Sequence, residues 1–412
     1  MDSGYRSRRL LILFLGNLII LSTGTGLFPI LPLYAGSFGA SSSQVGLFLG
    51  LVYFAIASGT LLAGWLLRVL PVRRLMIAGT SLGIPALLLL GQARSFWQVV
   101  VLTSLLWLAG GVGLAVINTA TGLLADREKR GKVFGLMGLA VPLGALAGGA
   151  AVSGLIVWQG YSGMFSILSG LWAALPAAAL LGLPLTLEGL QSARQAGERG
   201  SGFQKPFILL LVATLLAITG MSAGRLGVSL SMEAQGFSPA QTAGTSTAGG
   251  LLIIPLVLAG SYISDRLPRR HLLIVSYLLF VLSALILGAA SQLWHFWLAA
   301  AALLLAGGFS GSISSALTTD LLAPGTLGRG LSWLNSTIYA ANMIAFTGSG
   351  ILVEKAGMPY LYLAAALLPL AAIAVVLLIA SPRGSAQVEI DLQVAVTSTG
   401  DLDRASQPAP CN

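Results

Sequence analysis

Residues 38–46 read FGASSSQVG, and residues 235–244 read QGFSPAQTAG. Each segment separates two long apolar runs. Gln44 of the first segment and Gln241 of the second are 197 positions apart. One apolar run further along the chain, the loops LPVRR and LPRR keep the same shift, with Arg270 opposite Arg73. A constant register through a loop, an apolar run and a second loop indicates that the chain consists of two repeated halves.

The apolar runs around these loops determine the class of protein. Hydrophobic residues make up 56% of the 412 positions and charged residues only 8%, against roughly 25% charged residues in soluble domains. A helix of about 20 apolar residues is long enough to cross the hydrocarbon core of a bilayer. The composition therefore excludes a water-soluble enzyme and predicts an all-α membrane protein, and the alternation expected of a β-barrel is absent from the sequence.

Charge, proline and glycine divide the apolar runs into twelve predicted transmembrane helices, which form two pseudo-symmetric bundles of six. Parallel repeats of this kind suit a carrier, because two similar bundles can rock about a central site. The predicted helices cover residues 9–34, 45–70, 75–91, 97–125, 133–157, 164–183, 207–231, 242–263, 271–290, 294–322, 330–353 and 358–380. The predicted domains are an N-terminal bundle at 1–187, a cytoplasmic linker at 188–206, a C-terminal bundle at 207–380 and a disordered cytoplasmic tail at 381–412.

The positive charges predict the orientation of the chain. With this helix count, 19 of the 22 Lys and Arg residues lie on the side of the two termini. By the positive-inside rule both termini are cytoplasmic, and we expect a multi-pass protein of the inner membrane. The net charge of +9 is thus explained by membrane topology rather than by binding to nucleic acid. The single cysteine, Cys411, matches no metal-binding spacing, and the sequence predicts neither a metal nor a cofactor.

At the repeated loops the sequence resembles the major facilitator superfamily, whose motif after the second helix is G-x-L-a-D-r-x-G-r-k. The two copies here are GWLLRVLPVRR at 64–74 and SYISDRLPRR at 261–270. The segments ADREKRGKVFGL at 125–136 and LGRGL around residue 329 resemble the family's loops after the fourth helix and its repeat. The resemblance implies an alternating-access carrier, with gating roles for Gly64, Arg68, Arg73, Arg74, Asp126, Arg130, Asp265, Arg266, Arg269, Arg270 and Arg329.

The fifth predicted helix loosely resembles the glycine-proline motif of the family's antiporters, which points to the drug and metabolite efflux branch. The alternative interpretation is close helix packing, because the G-x-x-x-G spacing lets two backbones touch. Trp107 stands where family antiporters carry an arginine in the fourth helix. The residues concerned are Gly138, Pro142, Gly144, Gly148 and Gly149.

Polar side chains aligned on one face of a predicted helix are candidates for the substrate site, since polar groups facing lipid are costly. Such faces occur on the first, fourth, seventh and eleventh predicted helices. The same residues can instead form hydrogen bonds that hold the helices together. The candidates are Asn17, Thr25, Trp107, Asn118, Arg225, Asn335, Tyr339 and Asn342.

Arg225 is the one basic residue inside a predicted helix away from the cytoplasmic face. It shares a polar arc with Thr214, Ser222 and Ser229, and its repeat partner at a shift of 197 is Phe28. Three roles stay open: binding of a substrate anion or closure of an outer gate, snorkelling to the outer surface, and an ion pair with Glu233.

The acidic residues limit the mechanism, because all 13 Asp and Glu residues fall outside the middle of the predicted helices. A coupling proton, another ion or facilitated diffusion therefore stay open. Our first hypothesis is a monomeric carrier that exports a small amphiphilic or weakly anionic solute from the bilayer-embedded cavity. The alternatives are an importer of an anionic metabolite that uses Arg225 and a transport-inactive receptor or scaffold. No enzyme motif occurs within a predicted helix.

Overall fold

The computed structural model describes residues 3–125, 130–182, 203–264, 268–322 and 324–379. These residues form helices joined by short loops, without a strand in the described ranges, which confirms the all-α prediction. In the first half the helices are α1 (Ser3–Leu27), α2 (Leu31–Gly36), α3 (Ser42–Leu66), α4 (Val72–Ser81), α5 (Gly83–Leu90), α6 (Phe96–Leu124), α7 (Arg130–Gly138) and α8 (Ala140–Gly182). In the second half they are α9 (Lys205–Ala234), α10 (Pro239–Ser264), α11 (Arg269–Gly288), α12 (Leu293–Leu321), α13 (Pro324–Ala356) and α14 (Met358–Leu377).

Ten stretches of the described chain are long and apolar enough to cross a membrane. One of them, Lys132–Leu180, contains two predicted helices, because Gly160 interrupts α8 with φ 63° and ψ −169°. Glycine lacks the Cβ that makes this positive φ costly for other residues. The 26-residue helix α10 lies where a further membrane helix is expected. A helix thus lies in each of the twelve predicted ranges, and the count of twelve membrane crossings stays a prediction.

The repeated loop segments are matching helix starts. Ser41 precedes α3, and its backbone N–H donates to Oε1 of Gln44 while its hydroxyl accepts from the Gln44 N–H. Ser238 precedes α10 and makes the same two bonds with Gln241. This Ser-x-x-Gln arrangement is a capping box, which satisfies backbone donors that the first turn of a helix leaves unpaired. The sequence motif that defines the repeat therefore fixes where two corresponding helices begin.

The described helices bury two large apolar cores. One cluster lies mostly in α1–α8, which we call the first bundle, and contains large buried side chains such as Phe48, Phe165 and Trp172. The other belongs to α9–α14, the second bundle, with Phe207, Phe280 and similar residues at its centre. The linker predicted at 188–206 falls mostly, and the tail at 381–412 wholly, outside the described residues.

The bundles meet along two helix crossings that the repeat relates to each other. In the first crossing α3 packs on α13, and a Cβ built on Gly46 would lie 2.5 Å from the Phe346 carbonyl oxygen. In the second crossing α8 packs on α10, and a Cβ on Gly149 would lie 3.0 Å from the Ala243 carbonyl oxygen. In the repeat, Gly46 corresponds to Ala243 and Phe346 corresponds to Gly149, each at a shift of 197. The two contacts are therefore equivalent, and the sequence register also describes the three-dimensional repeat.

The chain alternates between two ends of the molecule. We call the end with residues 67–72 and the start of α9 the linker end, and the end with residues 37–41 and 235–238 the far end. The helices of the two crossings run between these ends and enclose the space described next.

Candidate functional site

A cavity of about 490 Å³ lies between the two bundles. Both bundles supply its walls, which are mostly aliphatic and aromatic. Side chains from the first bundle include Ile20, Thr23, Thr25, Phe28, Tyr53, Trp107 and Trp172. Those from the second include Met221, Arg225, Ser229, Thr245, Leu303 and Ile338. The volume lies in the usual range for sites that enclose small organic molecules.

Few polar groups of the wall are free to bind a ligand. The Thr25 hydroxyl donates to the Leu21 carbonyl at 2.7 Å, and the Trp172 indole N–H donates to the Thr80 carbonyl at 2.7 Å. The Thr23 hydroxyl, in contrast, is buried and has no hydrogen-bond partner in the described structure. An unpartnered buried hydroxyl costs free energy.

Arg225 lies in the cavity wall on α9 and reaches across to the first bundle. Its Nη1 donates to the Tyr53 hydroxyl at 2.9 Å, and its Cζ lies 3.9 Å from the centre of the Phe28 ring. Within the described residues Arg225 forms no salt bridge. Arg225 and Phe28 occupy corresponding positions of the two repeats. Because these two residues touch, both lie beside the pseudo-symmetry axis that relates the two bundles.

Three aromatic rings close the cavity beside Arg225. Tyr53 and Phe346 stack with centroids 5.2 Å apart and planes at 23°, while Phe28 lies 5.4 Å from Phe346. Phe28 and Tyr53 belong to the first bundle, and Phe346 and Arg225 to the second. We call these four residues the aromatic plug. The plug joins the bundles with both apolar contact and cation–π attraction.

Beyond the plug, further contacts between the bundles close the far end. A Cβ on Gly46 would lie 2.7 Å from the Cα of Gly350, so the backbones of the first crossing touch. Nearby, Glu354 at the end of α13 accepts from the Ser41 hydroxyl at 2.7 Å and from the Ser43 N–H at 2.8 Å. A carboxylate is favourable at a helix N-terminus. Glu354 therefore links the second bundle to the start of α3.

The structure brings three of the predicted substrate residues, Thr25, Trp107 and Arg225, into the cavity wall. Two others make hydrogen bonds between or along helices. The Asn17 side-chain amide donates to the Met137 carbonyl at 3.2 Å, and Asn342 accepts from the Ser222 hydroxyl at 2.7 Å.

The remaining candidates do not line the cavity. Asn118 and Asn335 are exposed, and Tyr339 is partly exposed and near Thr60 of the first bundle. The assignment of all eight residues to substrate binding stays a prediction.

The predicted packing residues occupy several environments. Gly144 and Gly148 face Leu21 and Ser22 of α1, where an added Cβ on Gly144 would lie 3.1 Å from the Leu21 carbonyl carbon. Gly149 belongs to the second crossing, and the carbonyl of Pro142 meets Gly250 of α10 at the same crossing. Gly138 is exposed with open space around it.

The predicted gating residues gather at the linker end. Arg269 Nη1 lies 2.6 Å from Asp320 Oδ1, and Arg270 donates to the Leu377 carbonyl at 2.7 Å, so both tie α11 to neighbouring helices. Arg329 lies over the ring of Phe203 at 4.7 Å. Arg68 and Arg74 are exposed, as is Gly64, and Arg73 is partly buried. Asp126, Asp265, Arg266 and the side chain of Arg130 lie outside the described residues.

Sequence reasoning missed several residues that shape the site. Tyr53 and Trp172 sit in apolar runs where aromatic residues are common, so the pattern does not distinguish them from lipid-facing neighbours such as Phe54. Thr23 lies two residues from Thr25 in the same apolar run, and the sequence pattern does not distinguish its hydroxyl from one that bonds its own backbone. For Phe28 one signal existed, namely its position opposite Arg225 in the repeat.

Comparisons with known proteins identify relatives of this architecture. Residues 13–223 and 209–397 match the family model described as Major Facilitator Superfamily. No curated protein sequence matches the chain. Among solved structures, an inward-facing, unoccupied bacterial homologue of the human lysosomal transporter Spinster matches with TM-score 0.68, 15% identity, 92% of this chain and 95% of that chain.

Two transporters of the POT family have similar structures. One, in complex with 5-aminolevulinic acid, matches with TM-score 0.71 and 14% identity over 91% of this chain and 96% of that chain. The other, a peptide transporter in complex with sulfate, matches with TM-score 0.69 and 14% identity over 90% and 93%. At these identities the likeness shows a shared fold.

Proposed function

Because the chain belongs to the major facilitator superfamily, we propose that it exports a small amphiphilic or weakly anionic organic solute by alternating access. The observation that carries this proposal is the cavity between the bundles, which both bundles line and which the aromatic plug closes at one end. A binding site shared by two moving bodies can be exposed to each side in turn.

The contents of the wall support the solute class. The wall is mostly apolar, and Arg225 is the one charged side chain among the described residues that line it. A polyhydroxylated sugar would bury hydroxyls without partners, which is unfavourable. A molecule with an apolar body and one polar or acidic group loses less free energy on entering this space.

The proposed setting is the inner membrane, with both termini in the cytoplasm and the protein acting as a monomer. In that orientation the linker end faces the cytoplasm, and closure at the far end makes this an inward-facing state. A proton or another ion is the proposed energy source for export. Import of an anionic metabolite is the second candidate, favoured by the position of Arg225 in the cavity wall.

The experiment is flux of labelled amphiphilic acids, amphiphilic cations and amino acids through the purified protein in liposomes. Gly308 lines the cavity, and an added Cβ would meet nothing within 4 Å, so we expect the side chain of Gly308→Trp to project into the cavity and fill part of it. Gly170 is exposed on α8 with equally open space, and Gly170→Trp is the matched control.

We expect Gly308→Trp to abolish the flux that the wild type and Gly170→Trp sustain. Equal flux in both variants would contradict transport through this cavity. Binding of a solute without any flux would instead favour the receptor hypothesis.

A further inference from the structure

Among the described residues that line the cavity, Arg225 alone carries a formal charge. A guanidinium has five N–H donors, and the described structure gives Arg225 one hydrogen bond, to Tyr53. One face of the group covers Phe28, and the remaining donors stay unused. Arg225 therefore uses one N–H donor to bind Tyr53 within the plug, and its other N–H donors remain available to another acceptor.

We propose that Arg225 binds the carboxylate, or another oxyanion, of the transported solute and that this binding releases Tyr53 and opens the far end. This inference rests on the carrier function proposed above and adds the chemical class of the solute and its coupling to the gate. The solute is an acid with an aromatic or aliphatic body, held by Arg225 at its charged end.

The coupling follows from the membership of the plug. Arg225 and Tyr53 belong to different bundles, so their hydrogen bond must break when the bundles separate at the far end. Without a replacement, the guanidinium loses this acceptor while the wall beside it stays mostly apolar, which is unfavourable for a charge. An oxyanion replaces the lost bond with stronger, charge-assisted ones. A ligand that interacts better with the open state shifts the population toward it.

The binding experiment uses the full chain in lipid nanodiscs and three probes with the same ring system, 1-naphthoate, 1-naphthamide and 1-naphthylmethylammonium. We expect only 1-naphthoate to raise the melting temperature, since the probes share the naphthalene ring and differ chiefly in the charge of the attached polar group. Arg225→Met should weaken 1-naphthoate binding by at least about tenfold. Arg94→Met removes an exposed loop charge and should leave binding unchanged. Equal stabilisation by 1-naphthamide, or by none of the probes, would overturn the anion site.

A second variant separates a ligand role of Arg225 from a purely structural one. Tyr53→Phe removes the hydroxyl that Arg225 contacts but keeps the ring that stacks on Phe346. If the solute competes with Tyr53 for the guanidinium, Tyr53→Phe should tighten 1-naphthoate binding by about two- to tenfold. If Arg225 only supports the plug, both variants weaken binding together, and that result overturns the proposal.

The opening step is measured by the distance between spin labels at the far end. Cys411 is the only cysteine of the chain, so Cys411→Ser gives a background for Gln92→Cys and Ser291→Cys, which are exposed on different bundles. We expect 1-naphthoate to shift the distance distribution in this background and not with Arg225→Met added. If the distance changes in Gly46→Val but never with 1-naphthoate, the inference fails while the carrier function stands. If the distance is fixed under every condition, the carrier function fails.

Discussion

Asn342 makes two hydrogen bonds within the protein, so we expect it to support the fold rather than to bind the solute. Its side chain accepts from the Ser222 hydroxyl and donates to the Ile338 carbonyl, and the residue is buried. We expect Asn342→Leu to lower the apparent melting temperature in detergent, because Ser222 loses its partner, at a cost of about 0.6–2 kcal/mol. Ligand affinity should not change.

The double variant Asn342→Leu with Ser222→Ala tests this assignment. If the two residues stabilise the protein through their mutual bond, the double variant should lose less than the sum of the single losses. If the stability losses are additive and ligand binding is also weaker, Asn342 would instead be assigned to substrate binding.

The candidate site was only partly predictable at the residue scale, and the reason is physical. A polar stripe on a helix indicates that this face does not contact lipid. The face can line a cavity or pack against a neighbouring helix, and the stripe does not distinguish the two. Arg225 and Trp107 reached the cavity, while Asn17 bonds the Met137 carbonyl. Whether a polar residue lines the cavity or bonds a neighbouring helix depends on helix rotation and on contacts between distant parts of the chain. Local periodicity encodes neither.

At the scale of single elements, the two capping boxes offer a matched comparison. Removing the cap by Ser238→Ala should cost about 1 kcal/mol. Ser41→Ala removes the same cap and also the hydrogen bond to Glu354, so we expect it to lower the melting temperature further. In a Glu354→Ala background the two serine variants should become equivalent. A difference that persists there would show that Glu354 is not its cause.

The packing of α8 against α1 gives a second comparison between elements. Gly148 touches the backbone of Ser22, so Gly148→Ala must push the helices apart, and we expect a loss of about 1–3 kcal/mol. Gly154 lies in the same helix with open space around it, and Gly154→Ala should be neutral or stabilising by up to about 1 kcal/mol. Thermal unfolding of both variants checks the prediction, and equal destabilisation would contradict it.

The helices themselves were largely predictable because hydropathy depends on composition over about 20 residues and not on tertiary contacts. The repeat also followed from sequence, since Ser41 with Gln44 and Ser238 with Gln241 encode the same helix start. One break within an element was predicted, since Gly160 lies between the helices predicted at 133–157 and 164–183. The 3-10 turn at residues 28–30, inside the first predicted helix, was not predicted. This turn lies within a continuous apolar run, so a hydropathy average over about 20 residues does not register it.

At the scale of the whole molecule, the first crossing decides whether the far end can close. Gly46 and Gly350 bring the backbones of α3 and α13 together, and a side chain at position 46 would overlap the Phe346 carbonyl. Gly46→Val should therefore destabilise the closed far end and raise the population of the open state. Each 1.4 kcal/mol of such destabilisation changes the ratio of the states about tenfold.

The measurement is the rate at which a membrane-impermeant thiol reagent, added on the far side, modifies Ser229→Cys in the Cys411→Ser background. Ser229 lines the cavity and is buried in the closed state, so its labelling reports opening. We expect Gly46→Val to raise this rate at least tenfold, and Gly154→Val, on an exposed face of α8, to leave it unchanged. An unchanged labelling rate in Gly46→Val would contradict a role of the first crossing in closing the far end. The aromatic plug would then be sufficient to block access of the reagent.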